Sequence, residues 1–324
     1  MIKREKAESM MNELGGSSAS FLFLIDFDME EAIVLPPGEA AAKNIFYDFH
    51  GETNCPRKLP PNKEITLKKT PLPYREYLHA FEAVQSELRR GNSYLLNLTF
   101  PTPIECDRTL SQIFHLSRAK YRLLFQNRFV CFSPEIFVQI RDGTISTYPM
   151  KGTIDARIEN AEERILSDEK EMAEHTTVVD LLRNDLSMVA KRVRVERFRY
   201  IDRIQTHEKE LLQVSSHISG ELPSDYPGRI GSILFSMLPA GSVTGAPKKK
   251  SVAIIKAAEG YERGFYTGVA GLFDGKSLDS CVMIRFIEQS EQGLTYKSGG
   301  GITLMSDPQA EYQELIDKIY VPLI

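Results

Sequence analysis

The strongest constraint on how this chain folds lies in residues 129–153. An apolar run over 129–141 is followed by Asp142-Gly143 and a second extended run, Thr144-Ile145-Ser146-Thr147-Tyr148. Asp-Gly between two such runs predicts an antiparallel hairpin, because these residues tolerate the backbone angles of a tight turn. The second strand leads into Pro149-Met150-Lys151-Gly152-Thr153. One lysine is thus held between a proline that ends a strand and a glycine that opens a turn. The hairpin register then matters for Glu135. A two-residue turn sets Arg141 opposite Thr144, and so Glu135 opposite Met150; a three-residue turn sets Glu135 opposite Lys151. Either register puts a carboxyl and an ammonium within about one residue of each other, where directly facing residues lie about 5 Å apart at Cβ. Taken alone, that is an ordinary ion pair worth under ~1 kcal/mol.

Helical patterns alternate with these strands. Tyr77, Phe81, Val84, Gln85 and Leu88 recur at helix spacing, and Gly91 ends the run. A strand is predicted over 94–100 and a helix over 109–119. Before them come a short helix and the strand Phe21-Leu22-Phe23-Leu24-Ile25. Residues 55–73, with five prolines and five Lys or Arg, read as a surface connection. This divides the chain into an N-terminal segment and linker, 1–73, belonging to the same fold, and a main body, 74–324.

Two pairs of carboxylates stand out. A long helix is predicted over about 160–191, and Glu171 and Glu174, three apart, share one face of it. At the other end of the chain Asp307-Pro308 starts a helix with proline in the first position. Glu311 and Glu314 follow, again three apart, with Lys318 four beyond Glu314. Like charges so spaced repel, and a bound cation would offset that. Mg²⁺ takes one or two carboxylates and completes its shell with waters and substrate oxygens. An exposed, solvated face and an ordinary Glu314–Lys318 pair account for the same residues without a metal.

Two glycine-rich segments remain. Residues 239–248 lack the Gly-Lys-Ser/Thr ending of a phosphate loop, which argues against a nucleoside triphosphate site. Ser298-Gly299-Gly300-Gly301-Ile302 is either a turn between strands or a run of backbone N–H groups open to an anion. The composition, 42% hydrophobic and 26% charged, is that of a globular protein. A formal charge of −4 argues against a nucleic-acid or anionic-membrane surface. Residues 1–14 lack the apolar core of a signal peptide, and no apolar run is long enough to span a bilayer. The four cysteines, 55, 106, 131 and 281, form no CxxC pair, as expected of reduced thiols in a cytoplasmic protein.

In order along the chain, Ser133-Pro134-Glu135, Pro149-Met150-Lys151-Gly152-Thr153, Asp180-Leu181-Leu182-Arg183-Asn184-Asp185-Leu186, residues 239–248, Arg263-Gly264-Phe265-Tyr266-Thr267-Gly268, Ile284-Arg285, residues 299–302 and Ser306-Asp307-Pro308 with Glu314 resemble the chorismate-utilising enzymes. That family includes anthranilate, aminodeoxychorismate, isochorismate and salicylate synthases. The resemblance implies an α+β fold of two antiparallel sheets packed as an orthogonal sandwich with helices outside, and makes 74–324 the chorismate-binding catalytic domain. It implies Mg²⁺ held by Glu174 and Glu314, with Glu171 and Glu311 behind them or acting through water. It also implies that Tyr266, Arg285, Lys318 and the amides of Gly299, Gly300 and Gly301 bind the carboxylates of chorismate, and that Ser242, Thr244 and Gln213 adjoin the substrate.

Lys151 narrows the reaction. In the family, lysine here goes with aminodeoxychorismate synthesis and alanine with anthranilate or isochorismate synthesis. A lysine amine can attack C2 of chorismate as the C4 hydroxyl leaves, protonated by Glu135; ammonia then adds at C4 and expels the lysine. The attacking amine must be neutral, which asks for burial or neighbouring positive charge, and Glu135 must hold its proton. A resting Glu135–Lys151 ion pair would oppose both, so substrate is expected to separate them. Relatives that activate water carry a lysine base on the early strand, where Leu95 stands here. Ser242-Val243-Thr244 also fits the aminodeoxychorismate pattern.

Some positions depart from the family. Gln213 stands where a histidine is usual; His207 and His217 are nearby in sequence. The arginine after Lys-Gly-Thr comes one residue late, at Arg157. The region before residue 74 is shorter than in relatives, so strong tryptophan inhibition is not expected. Ammonia is expected from a separate glutamine amidotransferase subunit. Anthranilate synthase component I and a weakly active chorismate-binding regulatory subunit are the alternatives.

Overall fold

A computed structural model describes residues 1–56, 58, 64–205 and 210–323. Its strands form two antiparallel sheets. The first runs β11 (Met150–Asp155), β13 (Glu210–Glu221), β10 (Thr144–Thr147), β9 (Ile136–Arg141), β16 (Leu278–Val282), β15 (Val269–Phe273), β1 (Phe21–Ile25), β2 (Ala32–Leu35). The long β12 (Lys191–Gln205) lies along the other side of β13. The second runs β14 (Gly245–Ala246), β6 (Leu95–Cys106), β18 (Gly293–Ile302), β17 (Phe286–Ser290), β8 (Phe129–Ser133), β7 (Tyr121–Phe125), β3 (Ile45–Phe49), β4 (Glu52–Thr53), with β5 (Leu67–Lys69) on β6. With its helices, this is an α+β fold.

β1 shows why both faces of the first sheet are covered. All five of its residues are buried without polar alternation, as in a strand packed on both sides. Phe21, Phe23 and Ile25 join one apolar cluster with α1 (Arg4–Gly16) and α6 (Ile230–Met237). Leu22 and Leu24 join a second, shared with β3, β7 and β17 of the other sheet. The N-terminal residues therefore supply strands to both sheets.

The other helices are α2 (Tyr74–Arg89), α3 (Leu110–Leu116), α4 (Ala161–Ser167), α5 (Glu169–Ser187), α7 (Lys248–Glu259) and α8 (Pro308–Asp317). α2 buries Tyr77, Phe81, Val84, Gln85 and Leu88 along one face, the stripe expected of its spacing. Together with α7 and α8 it covers β6 and the end of β18. Asp307 caps α8, accepting from the N–H groups of Gln309 at 3.1 Å and Ala310 at 2.8 Å.

Two expectations fail locally. The helix expected over 160–191 is broken at Asp168, which ends α4 in extended backbone and then caps α5 through the Glu171 N–H at 2.9 Å. An aspartate competes for backbone donors in just this way. The strand expected over 129–141 is broken at Pro134-Glu135, and the two halves belong to different sheets: β8 pairs with β7 and β17, β9 with β10 and β16. Proline has no N–H for a ladder, which suits it to such a corner. The β9–β10 turn itself has the two-residue register, Arg141 opposite Thr144.

No helix among the described residues is long and apolar enough to cross a membrane.

Candidate active site

The chain crosses between the sheets twice at one place. One crossing is Pro134-Glu135; the other is Met283-Ile284-Arg285, between β16 and β17. They are bonded to each other through Val282 N–H to Glu135 O at 3.2 Å and Phe132 N–H to Arg285 O at 3.1 Å. Arg285 adopts a φ of 54° to make its turn. These corners border a cavity of about 490 Å³, walled also by β11, the first half of α5, the end of β18 and α8. Every site residue expected from the sequence lines it, with one exception. Thr244 is buried behind the wall, its hydroxyl donating to Ala240 O at 2.9 Å, so it has no free surface to offer a ligand.

Glu135 is partly buried and accepts a hydrogen bond from the Ser242 hydroxyl. Withdrawal from water pushes its carboxyl above the ordinary value, against the opposing effects of Ser242, Lys151, Arg285 and Lys318. A carboxyl so placed can hold a proton to give away.

Lys151 does not pair with Glu135. β10 ends at Thr147, and β11 moves onto β13, where Lys151 faces Val214. Its ammonium lies 3.5 Å from Glu174 Oε2, with the lysine side chain one quarter exposed (25%). The hairpin argument failed because the chain leaves β9 at Tyr148-Pro149, before reaching Glu135. Gly152, at φ 69°, lies at a break in the β11–β13 register, and a Cβ there would stand 3.1 Å from Glu171 Oε2. Across the cavity a Cβ on Gly301 would meet Lys151 Nζ at 3.1 Å and Leu95 Cδ1 at 3.2 Å. The lysine tip therefore lies close to the bare backbone of Gly301. No base stands at Leu95.

The carboxylates come in from two helices. On α5, Glu174 is buried and pairs with Lys151; Glu171 is pushed up by loss of water, then by Glu174, with Lys151 opposing. On α8, Glu311 is buried, and Glu314 lies 2.5 Å from Lys318 Nζ. Lys318 also donates to Gly299 O at 3.0 Å; loss of water lowers it, while Glu314 opposes. Among the described residues no three carboxylate, imidazole or thiol groups are grouped closely enough to hold an ion by themselves. The donors are nonetheless all carboxylate oxygens, suited to a hard cation that completes its shell from water and substrate. Their mutual repulsion at Glu171 is what such a cation relieves. In that sense the residues fit Mg²⁺.

The Arg285 Nε is buried with no hydrogen-bond partner. An orphaned donor costs about 1–3 kcal/mol. Tyr266 is buried beside it, its hydroxyl pushed up by loss of water. Gln213 lines the cavity with its amide 3.5 Å from Thr153 Oγ1. His217 stands off the wall, stacked on Tyr148 at 4.6 Å, and His207 lies outside the described residues. Arg157 folds onto Asp155 at 2.8 Å in the open and is not on the wall. Lys248, at the end of the glycine-rich 239–248 segment, is committed to Asp185 at 2.7 Å.

Sequence reasoning missed three participants. Lys297 lines the cavity, buried, bonded to Arg263 O at 3.0 Å and paired with Glu288 at 2.8 Å. Its two-residue spacing from Gly299 and Gly301 on one strand was the available signal. Asn97 also lines the cavity and sits opposite Gly301 in the β6–β18 ladder. His175 is 1% exposed and bonded through Nε2 to Ser216 Oγ at 2.7 Å. Burial, with Arg199 and Lys151 nearby, holds its ring down to about 4, so it is neutral.

A family model described as chorismate binding enzyme matches residues 32–323. An uncharacterised PabA-like protein of Haemophilus influenzae is 51% identical over 96% of this chain and 95% of its own length. Anthranilate synthase component 1 of Cereibacter sphaeroides is 37% identical over 57% of this chain and 38% of its own. Aminodeoxychorismate synthase component 1 of Bacillus subtilis is 29% identical over 75% and 54%. Among solved structures, the menaquinone-specific isochorismate synthase of Escherichia coli superposes with a TM-score of 0.76 at 18% identity, covering 98% of this chain and 81% of that one; this likeness speaks for the fold. With the family model spanning nearly the whole chain, the protein belongs to the chorismate binding enzymes, of the anthranilate synthase component I type.

Proposed function

We propose that the protein is an aminodeoxychorismate synthase component I, which aminates chorismate at C4 through a covalent adduct on Lys151. The observation that carries this reading is the placement of Lys151 and Glu135 on one cavity, the lysine tip close to Gly301 and the carboxyl held high. The Lys151–Glu174 pair opens, the ammonium gives its proton to water, and the neutral amine attacks C2. The C4–O bond breaks, and Glu135 gives the departing hydroxyl its proton, so that water leaves. Ammonia then bonds to C4, the C2–N bond breaks and Lys151 returns as an amine. The products are 4-amino-4-deoxychorismate and water, which points to para-aminobenzoate and folate synthesis in the cytoplasm.

Arg285 and Lys318, with the ribbon of Gly299, Gly300 and Gly301, orient the two substrate carboxylates. Glu174 and Glu314, with Glu171 and Glu311 in support, would hold Mg²⁺, which would supply positive charge to a substrate carboxylate. Ammonia comes from a glutamine amidotransferase subunit, and ammonium salts replace it in the test tube.

Anthranilate synthesis is the second reading, favoured by the 37% identity to an anthranilate synthase. The two separate in one incubation of the protein with chorismate, Mg²⁺ and ammonium salt. The proposal expects 4-amino-4-deoxychorismate, lost when a chelator removes the metal. Fluorescent anthranilate would reject it in favour of the second reading, and binding without turnover, even with an amidotransferase, would favour a regulatory subunit.

A further inference from the structure

Ser216 touches three elements at once. Its N–H donates to Pro149 O at 2.9 Å, two residues before Lys151. Its hydroxyl oxygen accepts the Arg199 N–H at 2.9 Å and lies 2.7 Å from His175 Nε2, the residue after Glu174. With Arg199 on one lone pair, the hydroxyl has its second lone pair and its proton for the imidazole, and the tautomer of His175 sets which of the two Nε2 engages. Arg199 sits at an irregularity in the β12–β13 register with a φ of 48°, left-handed backbone that a non-glycine residue rarely adopts. From there its guanidinium donates to Leu166 O at 2.7 Å and Ile165 O at 3.0 Å, in the last turn of α4.

We propose that Ser216 and His175 are positioning residues of the active site, which fix the separation of Lys151 and Glu174 by tying the start of strand β11 and helix α5 to one serine, the strand through its N–H and the helix through its hydroxyl. Lysine and glutamate are long and flexible, so their meeting point depends on where their backbones are held. Ser216 holds the backbone just before one and the side chain just after the other. Arg199 adds α4, whose end runs through Asp168 into α5, so the frame closes on itself. Displacements of about 1 Å at a reacting group can cost as much as a hundredfold in rate, which gives a frame at this place a chemical consequence.

The activity arm of the test rests on the proposed function; a labelling arm does not. Wild type, Ser216→Ala, His175→Ala and His175→Gln are exposed to trace acetic anhydride, and acylation of Lys151 is compared by peptide mass spectrometry with that of Lys248. The proposal expects the Lys151 to Lys248 ratio to change about threefold or more in Ser216→Ala and His175→Ala. kcat falls about tenfold in both while KM for chorismate stays within about twofold. His175→Gln, whose amide offers the hydroxyl both a donor and an acceptor, remains near wild type in both arms. An unchanged ratio in Ser216→Ala overturns the proposal. So does a parallel change at both lysines, which marks general loosening, or a His175→Gln as impaired as His175→Ala. A shifted ratio in a protein that makes no aminodeoxychorismate leaves the frame standing and counts against the proposed reaction alone.

Discussion

Glu135 works from a corner of the chain, between β8 and β9, and its surroundings decide what it can do. Loss of water raises its carboxyl, while the Ser242 hydroxyl, Lys151, Arg285 and Lys318 pull the other way. As an acid it is active while protonated, so kcat should fall as pH rises through its raised value. Removing the hydroxyl with Ser242→Ala removes a bond that favours the carboxylate, and the alkaline limb of the pH–kcat profile should move to higher pH. A limb that stays in place or moves down would contradict the role given to Glu135. Residue identities at this site were legible: Lys151, Glu135 and both carboxylate pairs were singled out from spacing and neighbours. Their partners were not. Periodicity along a strand says nothing about Pro134 sending the chain to another sheet, and so Glu174, not Glu135, is the ion-pair partner of Lys151.

At the scale of elements, the end of β18 is the most informative. Gly299 and Gly301 look equivalent in the sequence, yet a Cβ at Gly299 would meet Leu98 O at 2.3 Å, whereas one at Gly301 meets only the tips of Lys151 and Leu95. Backbone cannot step aside; side-chain tips can. Gly299→Ala should therefore lower stability by about 1–3 kcal/mol in denaturant unfolding. Gly301→Ala should unfold within about 1 kcal/mol of wild type and yet lose most of its activity by displacing Lys151. Equal stability losses in the two variants would contradict this division. The turn read as one choice at 298–302 is instead a strand paired with β6 residue by residue, and its register with β17 stops at Lys297. The break at Asp168 escaped prediction for a different reason: helix-forming residues continue on both sides, and the one signal was a single aspartate able to cap.

For the whole molecule, the N-terminal strand matters more than its distance from the site suggests. β1 is fully buried between β15 and β2, and its alternate side chains enter two separate apolar clusters. Phe23→Ala, far from the cavity, should cost about 3–5 kcal/mol of stability with kcat unchanged in the fraction that folds; a loss below about 1 kcal/mol would contradict the central place of this strand. The sequence showed β1 as a strand but not its neighbours, because pairing with β15 joins residues about 250 apart, which no local pattern records. The same long-range closure brings Glu135, Lys151, Arg285 and α8 to one cavity. What the cavity then does turns on whether Lys151 bonds to the substrate. The most direct measurement is intact-protein and peptide mass spectrometry after incubation with chorismate and Mg²⁺, ammonia withheld. The account predicts a gain on the Lys151 peptide equal to chorismate less one water, discharged by ammonium salt and absent in Lys151→Ala. Steady production of 4-amino-4-deoxychorismate by Lys151→Ala at the wild-type rate, with no adduct on any variant, would contradict it.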